Sequence, residues 1–261
     1  TISKNEAHNV AAFMQSAEGC PVYVLDTGST DDTVELLKQH GAHVVQKSIN
    51  PWRFDTARNE ALALVPDDVD VCVSIDMDER LDTGWQDKLK AEWSGNVGSY
   101  FYIAEWADEA CTVPSVQSPR TRLHSRHDYE WHRRIHEVIR PLPGVEPGGC
   151  DTSVVVKHYQ KGGQRNYAPA LKELLQEDPT DADAWLQLAG ECHQKGNFGE
   201  ALEAYRSYLK VIEGDEREVL RYRRAHAWVS IAQCLHKLGR NEEMIRAFLS
   251  AIAAEPNCRE A

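Results

Sequence analysis

V-Y-V-L-D-T-G-S-T-D-D-T-V-E-L-L-K-Q-H-G, residues 22 to 41, passes from an apolar, β-branched run through a glycine-containing turn into helical spacing. Val22 to Leu25 reads as a strand. Ser29, Thr30, Asp31 and Asp32 supply caps and first-turn acids, Leu36 and Leu37 carry the helix to His40, and Gly41 stops it. The alternation continues downstream: His43 to Gln46 is the next strand, Phe54, Ala57, Ala61 and Leu64 keep helical spacing until Pro66, and Val71 to Ile75 is a third strand. Strands alternating with helices predict an α/β unit built on βαβ connections. A helix near Trp85 to Trp93 follows. Strands at Tyr100 to Ile103 and Thr121 to Leu123, with a loop at Val113 to Pro119 between them, and a strand at Val154 to Val156 running into Lys157-His158 complete this half.

From about Arg165 the β-branched runs vanish, and Ala, Leu, Glu and Tyr at helical spacing take over. The expected division is 1–162 and 163–261, with the boundary near Gly162-Gly163. In the second part Trp185, Leu188, Ala189, Gly196, Ala201 and Tyr205 recur in spacing as Trp228, Ile231, Ala232, Gly239, Met244 and Phe248, with Ala251 and Pro256 following. This resembles the tetratricopeptide repeat, in which small residues let paired helices approach and aromatic residues fill the gaps. The copies lie 43 residues apart, against about 34 in that family. A lengthened helix or an inserted turn is therefore expected around Gly214 to Val219.

The 261 residues are 42% hydrophobic, enough for a substantial core, and carry a net charge of -12. That acidity argues against a large nucleic-acid footprint. No apolar run approaches the roughly 20 residues of a membrane span, and Thr1 to Lys4 has no signal-peptide character. Because the chain opens almost directly on K-N-E, residues before Thr1 are a further expectation. Seven scattered cysteines without a C-x-x-C pair suit free thiols in the cytoplasm. Arg120, Arg122, Arg126, Arg133, Arg134 and Arg140 form a local basic excess, which could meet a phosphorylated ligand or remain a solvated face.

S-I-D-M-D-E-R-L, residues 74 to 81, places Asp76, Asp78 and Glu79 just past the third strand. Carboxylates at alternate positions point to one side of an extended chain and can converge on one ion. In open α/β sheets ligands sit beyond the carboxyl ends of strands, where both D-T-G-S-T (26 to 30) and D-M-D (76 to 78) fall. Two acidic strand ends are expected to face one crevice.

K-N-E at 4 to 6, L-D-T-G-S-T-D-D-T at 25 to 33, P-W-R-F-D-T-A-R-N-E-A at 51 to 61, I-D-M-D-E at 75 to 79, H-E at 136 to 137 and V-K-H-Y at 156 to 159 stand in a recognisable order. It resembles family-two glycosyltransferases of the GT-A fold, a Rossmann-like nucleotide-sugar domain, in the bacterial subgroup that carries C-terminal tetratricopeptide repeats and includes peptide S-glycosyltransferases. The resemblance implies an inverting, metal-dependent transfer of a hexose, of the glucose or N-acetylglucosamine type, from a UDP-sugar to a peptide, a protein or another acceptor. It implies direct metal contact for Asp78, with Asp76 on the donor ribose or reaching the metal through water, and His158 as a further metal ligand. Oxygen donors suit Mg²⁺ or Mn²⁺, and an added imidazole favours Mn²⁺. Asp26 resembles the acid that reads the uracil edge, with Gly28 allowing close backbone approach; an Asx turn capping the following helix is compatible with that role. Arg58 resembles the arginine near the uridine or diphosphate, supported by Asn59, and Glu6 touches the nucleoside. Glu137 is the implied general base, with Glu130 and Asp128 as nearby alternatives.

His132 and His136, at i and i+4, would share a helix face and could bind zinc, but the order is not H-E-x-x-H and a zinc hydrolase is not preferred. Trp52, Trp106 and Trp131 could stack on a sugar or an acceptor, or fill the core. A nucleotidyltransferase would need a glycine-rich basic loop that Lys4-Asn5-Glu6 does not supply. The alternatives retained are a non-catalytic nucleotide-sugar binder that recruits a peptide through its repeats, and a transferase acting on a glycan or on modified DNA. Homo-oligomers through the helical repeats are a further expectation.

Overall fold

The computed structural model describes residues 1–94, 99–106, 116–159 and 166–255, which fall into two compact units, Thr1–Gly163 and Gln164–Ala261. The sequence expectations at Val113 to Ser115, Gly162-Gly163 and Pro256 lie outside the described residues.

The first unit opens as the alternation requires. β1 (Ile2–Ser3), α1 (Ala7–Ser16), β2 (Tyr23–Asp26), α2 (Thr33–Gln39) and β3 (His43–Gln46) form a parallel sheet in the order β1-β2-β3, with α1 and α2 as the crossovers. Gly41, just past α2, takes φ 86, a left-handed turn in which a side chain would be strained. α3 (Phe54–Ala63) follows, and β4 (Val71–Val73) leads to the acidic turn.

β4 does not extend the parallel sheet. It lies at the edge of a second, mixed sheet ordered β4-β7-β6-β10-β5, in which β5 is Glu79–Leu81, β6 Ser99–Trp106, β7 Val116–Ser125 and β10 Cys150–Tyr159. The expected loop at Val113 to Pro119 is thus strand from Val116 onward, its residues laddered against β6. α4 (Trp85–Glu92) precedes β6, and β8 (Tyr129–His132) with β9 (Val138–Pro141) forms a separate hairpin. A cavity of about 420 Å³ is lined by Tyr23, Val71, Val73, Ile75 and Trp85. β4 pairs antiparallel with β7. The main core joins α1, α2 and both sheets through Val10, Phe13, Val24, Leu37, Leu123 and Val156.

The second unit is helical: α5 (Ala168–Glu177), α6 (Ala182–Gln194), α7 (Phe198–Val211), α8 (Glu218–Lys237) and α9 (Asn241–Ala254). The extra repeat length is absorbed as anticipated, by a turn after α7 and by α8, which has 20 residues against 13 in α6. Both pairs, α6/α7 and α8/α9, end their first helix identically. Gly196 and Gly239 take φ 75 and 73, with Gly196 N bonded to His193 O, Asn197 N to Cys192 O, Gly239 N to His236 O and Arg240 N to Leu235 O. These crossed bonds are the Schellman pattern, in which a left-handed residue caps the last carbonyls. Ala189, Ala201, Ala232 and Ala251 are fully buried at the expected small positions. Gly196→Ala and Gly239→Ala are each expected to destabilise this unit by about 1 to 2 kcal/mol, read as a lower thermal midpoint of helical circular dichroism. An unchanged midpoint for both would dismiss the motif as a determinant of the repeats. Among the described residues no helix is long and apolar enough to cross a membrane.

Candidate active site

The D-M-D stretch follows a simple division of labour. Met77 is buried in the core at 3% exposure and anchors the turn that carries Asp76 and Asp78. The turn is closed twice. Glu79 N donates to Asp76 O at 3.0 Å, and Asp76 N donates to Glu79 Oε2 at 2.8 Å. Tyr159 N donates to Asp78 O at 2.9 Å, and His158 stands opposite Glu79 in the β10–β5 ladder. This register brings His158 Nε2 to 3.1 Å from Asp78 Oδ2.

Adjacent ligands of an octahedral ion with bonds of 2.0–2.1 Å lie roughly 3 Å apart. The Asp78–His158 spacing is compatible with two ligands of one divalent cation, to which the pair would offer mixed oxygen and imidazole donors of the kind that suit Mn²⁺. Asp76 does not join them. Its Oδ1 accepts from Arg58 Nη2 at 2.6 Å, and its Oδ2 lies 3.6 Å from Arg122 Nη2. Among the described residues no three His, Cys, Asp or Glu side chains gather as a metal site; the expected trio Asp76, Asp78 and His158 is a pair plus an arginine-bound acid.

Arg58 sits on α3 at 5% exposure. Besides Asp76 it donates from Nε to Glu137 Oε1 at 2.5 Å. Its guanidinium lies 4.9 Å from the ring centre of Trp131, and that of Arg122 lies 5.8 Å from the same ring, both within cation–π range. Burial would lower the Arg58 pKa, but Asp76 and then Glu137 more than offset it and hold the charge. Burial would likewise raise the Asp76 carboxyl, yet Arg58 and then Arg122 keep it well below the usual carboxylate range. Burial and then the Asp76 charge push Glu79 up to about 7. Removing one partner from such a buried network is costly, because it strands the other.

The A-R-N segment also fastens the H-E segment. Asn59 brackets Trp131, donating from Nδ2 to its O and accepting at Oδ1 from its N, both at 2.8 Å. Phe54 N donates to Arg134 O, and Arg134 Nε to Trp52 O. β8 and the turn after it are thereby tied to α3, and Glu137 is delivered to Arg58. Of the three acids weighed as base, only Glu137 reaches this cluster: Glu130 pairs with His132 at 2.9 Å, and Asp128 accepts from Ser125 Oγ. The second carboxylate oxygen of Glu137 has no hydrogen-bond partner among the described residues.

Several expectations change. Asp26 is fully buried, and its two oxygens accept from Gly28 N, Ser29 N, Ser3 Oγ and Ser29 Oγ. Burial opposes ionisation, but these bonds, led by Ser29, lower its pKa. Four donors occupy the four lone-pair sites of a carboxylate, so reading a base edge would require Asp26 to give one up. Asp26 closes the turn around Gly28, whose φ is 114, and does not present an open acid to a crevice shared with Asp76. Glu6 caps α1 by position and accepts from Asn9 Nδ2 at 2.8 Å; Asn9 in turn accepts from Arg80 at Oδ1. The helical zinc pair is absent: His132 ends β8, and His136 lies in a turn at φ 53. Trp131 is 4% exposed and serves as the floor under two guanidinium groups rather than as a sugar platform. Trp52 packs edge-on against Phe54 at 5.1 Å, and the Trp106 side chain lies outside the described ones. The basic stretch disperses, since Arg126 bonds Val65 O and Arg134 bonds Trp52 O, while Arg122 reaches Asp76. The sequence marks Arg122 and Glu79 only as members of a group, Arg122 within the basic excess that could meet a phosphorylated ligand and Glu79 as the third acid of the turn, with no individual role.

Beneath the cluster His124 is fully buried, with Nε2 3.2 Å from Ser74 Oγ and Nδ1 3.0 Å from Ser125 O. Burial lowers its pKa from 6.5 to about 4. A folded pKa below the unfolded one means that the unfolded chain binds the extra proton first. The contribution of His124 is therefore full above pH 6.5 and is lost as pH falls toward 4, by about 3 kcal/mol in all. Urea midpoints measured from pH 7.5 to 4.5 are expected to fall more steeply for the wild type than for His124→Gln. Parallel slopes would refute this.

The chain matches known proteins in two segments. A tetratricopeptide repeat profile matches residues 182–215 and 225–258. Among solved structures, the crystal structure of MamA is 22% identical over 34% of this chain and 44% of its own, with a TM-score of 0.29; the chain thus spans under half of the MamA chain it matches. The N-terminal domain of stress-induced protein-1 from C. elegans is 13% identical over 34% of this chain and 69% of its own, at a TM-score of 0.31. S. aureus TarS is 11% identical over 97% of this chain and 52% of its own, at a TM-score of 0.45. No match is found among curated protein sequences. The profile of Glycosyl transferase family 2 matches residues 2–140, more than half of the 261. With its acidic turn past β4, its α/β unit and the helical repeats that follow in sequence, the chain has the GT-A fold and belongs to Glycosyl transferase family 2.

Proposed function

We propose that the chain transfers a hexose, of the glucose or N-acetylglucosamine type, from a UDP-sugar with inversion, using Mn²⁺ or Mg²⁺ held by Asp78 and His158. The observation that carries this reading is the bridge made by Arg58, which joins Asp76 and Glu137 through one guanidinium, two residues from the Asp78–His158 pair. It gathers an acid suited to the donor and an acid suited to the acceptor.

Glu137 is the general base in this reading. One oxygen is oriented by Arg58, and the other takes the proton of the acceptor's nucleophile as that atom attacks the anomeric carbon from the face opposite the leaving group. The bond from that carbon to the diphosphate oxygen breaks, and its electron pair stays on the oxygen. A bound cation would supply Lewis-acid stabilisation of that developing charge. Asp76, held ionised, is available to the donor ribose.

The repeats support a peptide or protein as acceptor, since such helical surfaces commonly hold other chains. Homo-oligomers through the same helices and a cytoplasmic location are part of the proposal, as are the limits 1–162 and 163–261 for the two domains. The test is UDP release from UDP-glucose and UDP-N-acetylglucosamine with Mn²⁺, Mg²⁺ or chelator, followed by NMR of the product's anomeric centre. Metal-dependent release with inverted product is expected. UDP binding without turnover across donors and peptide acceptors would leave the non-catalytic binder, and a retained anomer would remove Glu137 as base.

A further inference from the structure

Two arginines flank Asp76, and they are not equivalent. Arg58 has Nε on Glu137 and Nη2 on Asp76, at distances of strong charge-assisted bonds. Two of its three nitrogens are thus committed within the protein. Arg122, on β7 beside β4, is anchored by its main chain, where Ser74 N donates to Arg122 O at 2.9 Å. Its side chain makes no comparable bond. The approach of Nη2 to Asp76 is 3.6 Å, a Coulombic contact longer than a hydrogen bond, and Nη1 is buried with no hydrogen-bond partner among the described residues. A buried N–H without an acceptor costs about 1–3 kcal/mol, and such groups call for an explanation in function or in an unseen partner.

We propose that Arg122, rather than Arg58, is the cation that receives the diphosphate of the nucleotide donor, its Nη1–H being the donor left idle for a phosphate oxygen. The inference rests on the reading of this cluster as a nucleotide-sugar site. Three features bear on it. The cluster is rich in acids, so a phosphate needs a directed cation, and guanidinium N–H groups match phosphate oxygens in geometry. Arg122 reaches the acidic turn itself, its Nη2 standing 3.6 Å from Asp76, two positions before Asp78. Nη1 is shielded from solvent, and a ligand reaches it only as a neighbour shifts. Asp76, with its side chain 35% exposed and only a long contact to Arg122, is the group able to give. Its displacement would let Arg122 exchange a weak intramolecular contact for a direct one.

The experiment compares UDP with uridine in the presence of Mn²⁺, by calorimetry for UDP and by ligand-observed NMR for uridine, in wild type, Arg122→Gln and Arg122→Lys. Loss of UDP affinity by tenfold or more in Arg122→Gln is expected, with uridine unchanged within about twofold, and Arg122→Lys should recover only part because it restores charge without the fork. A purely structural Arg122 would weaken both ligands together and overturn the proposal, as would an unchanged UDP affinity. Should Arg122→Gln fail to fold, ¹⁵N spectra of the wild-type arginine side chains decide, with the resonance missing from Arg122→Lys assigned to Arg122. That signal should shift with UDP and stay fixed with uridine, and equal response to both would again overturn the assignment. A wild type that binds neither ligand nor any UDP-sugar would remove the nucleotide-sugar reading itself, a result distinct from UDP binding that ignores Arg122.

Discussion

Asp78→Ala is expected to reduce metal-dependent turnover by about a thousandfold or more while leaving the thermal midpoint nearly unchanged. The size follows from the several kcal/mol that a divalent cation contributes to a phosphate-bearing leaving group. The intact fold follows from local bonding. Among the described residues the Asp78 side chain bonds to His158, and the turn is held without it, by the Glu79 and Asp76 bonds and by Tyr159 N on Asp78 O, a backbone contact that alanine keeps. Mn²⁺ titration in the presence of UDP separates the effects: the variant should need far more Mn²⁺ for the same UDP occupancy. Wild-type Mn²⁺ dependence in the variant would show that the cation sits elsewhere. His158→Ala should fall in the same direction by less, since a neutral imidazole offers no net charge to the cation.

Glu137→Gln should lower turnover by about 10²–10⁴-fold with UDP affinity kept or improved. Glutamine is nearly isosteric and can still accept from Arg58 through its carbonyl oxygen, so the tie to α3 survives, but the substitution removes one negative charge from a cluster that must admit a diphosphate. The two roles open to Glu137 part company here. If it only balances the charge of Arg58, turnover should survive largely intact; if it takes the acceptor's proton, turnover collapses while donor binding does not. Single-turnover measurements with saturating donor make the distinction. Glu130→Gln and Asp128→Asn serve as controls, because both acids are engaged away from Arg58, and a collapse in either with normal turnover in Glu137→Gln would reassign the base.

Elements written in local spacing are legible in the chain itself. The strand–turn–helix at 22 to 41, the helix at 54 to 63 and the repeated Ala, Gly and aromatic positions of the helical half all follow from periodicities of two or 3.6 residues, and from glycines where the backbone turns left-handed. The hairpin at 129 to 141 is not legible in this way, because Tyr129-Glu130-Trp131-His132 alternates too briefly to separate a strand from a helix, and the two histidines suggest a face that does not exist. β4 is recognisable as a strand, but its sheet is not, since which edge a strand pairs with depends on partners far along the chain.

Local sequence fixes which residues are chemically able to act and which way they face. Buried Met77 anchors the turn that carries Asp76 and Asp78, and strand and helix periods set the rest. Their partners come from tertiary packing. Arg58 meets Glu137 across 79 positions and Asp78 meets His158 across 80, while Asp26, equally acidic in sequence, is consumed by its own loop. Local sterics are encoded within a few residues, whereas an ion pair is settled by packing that brings distant segments together and excludes the water that would otherwise solvate each charge.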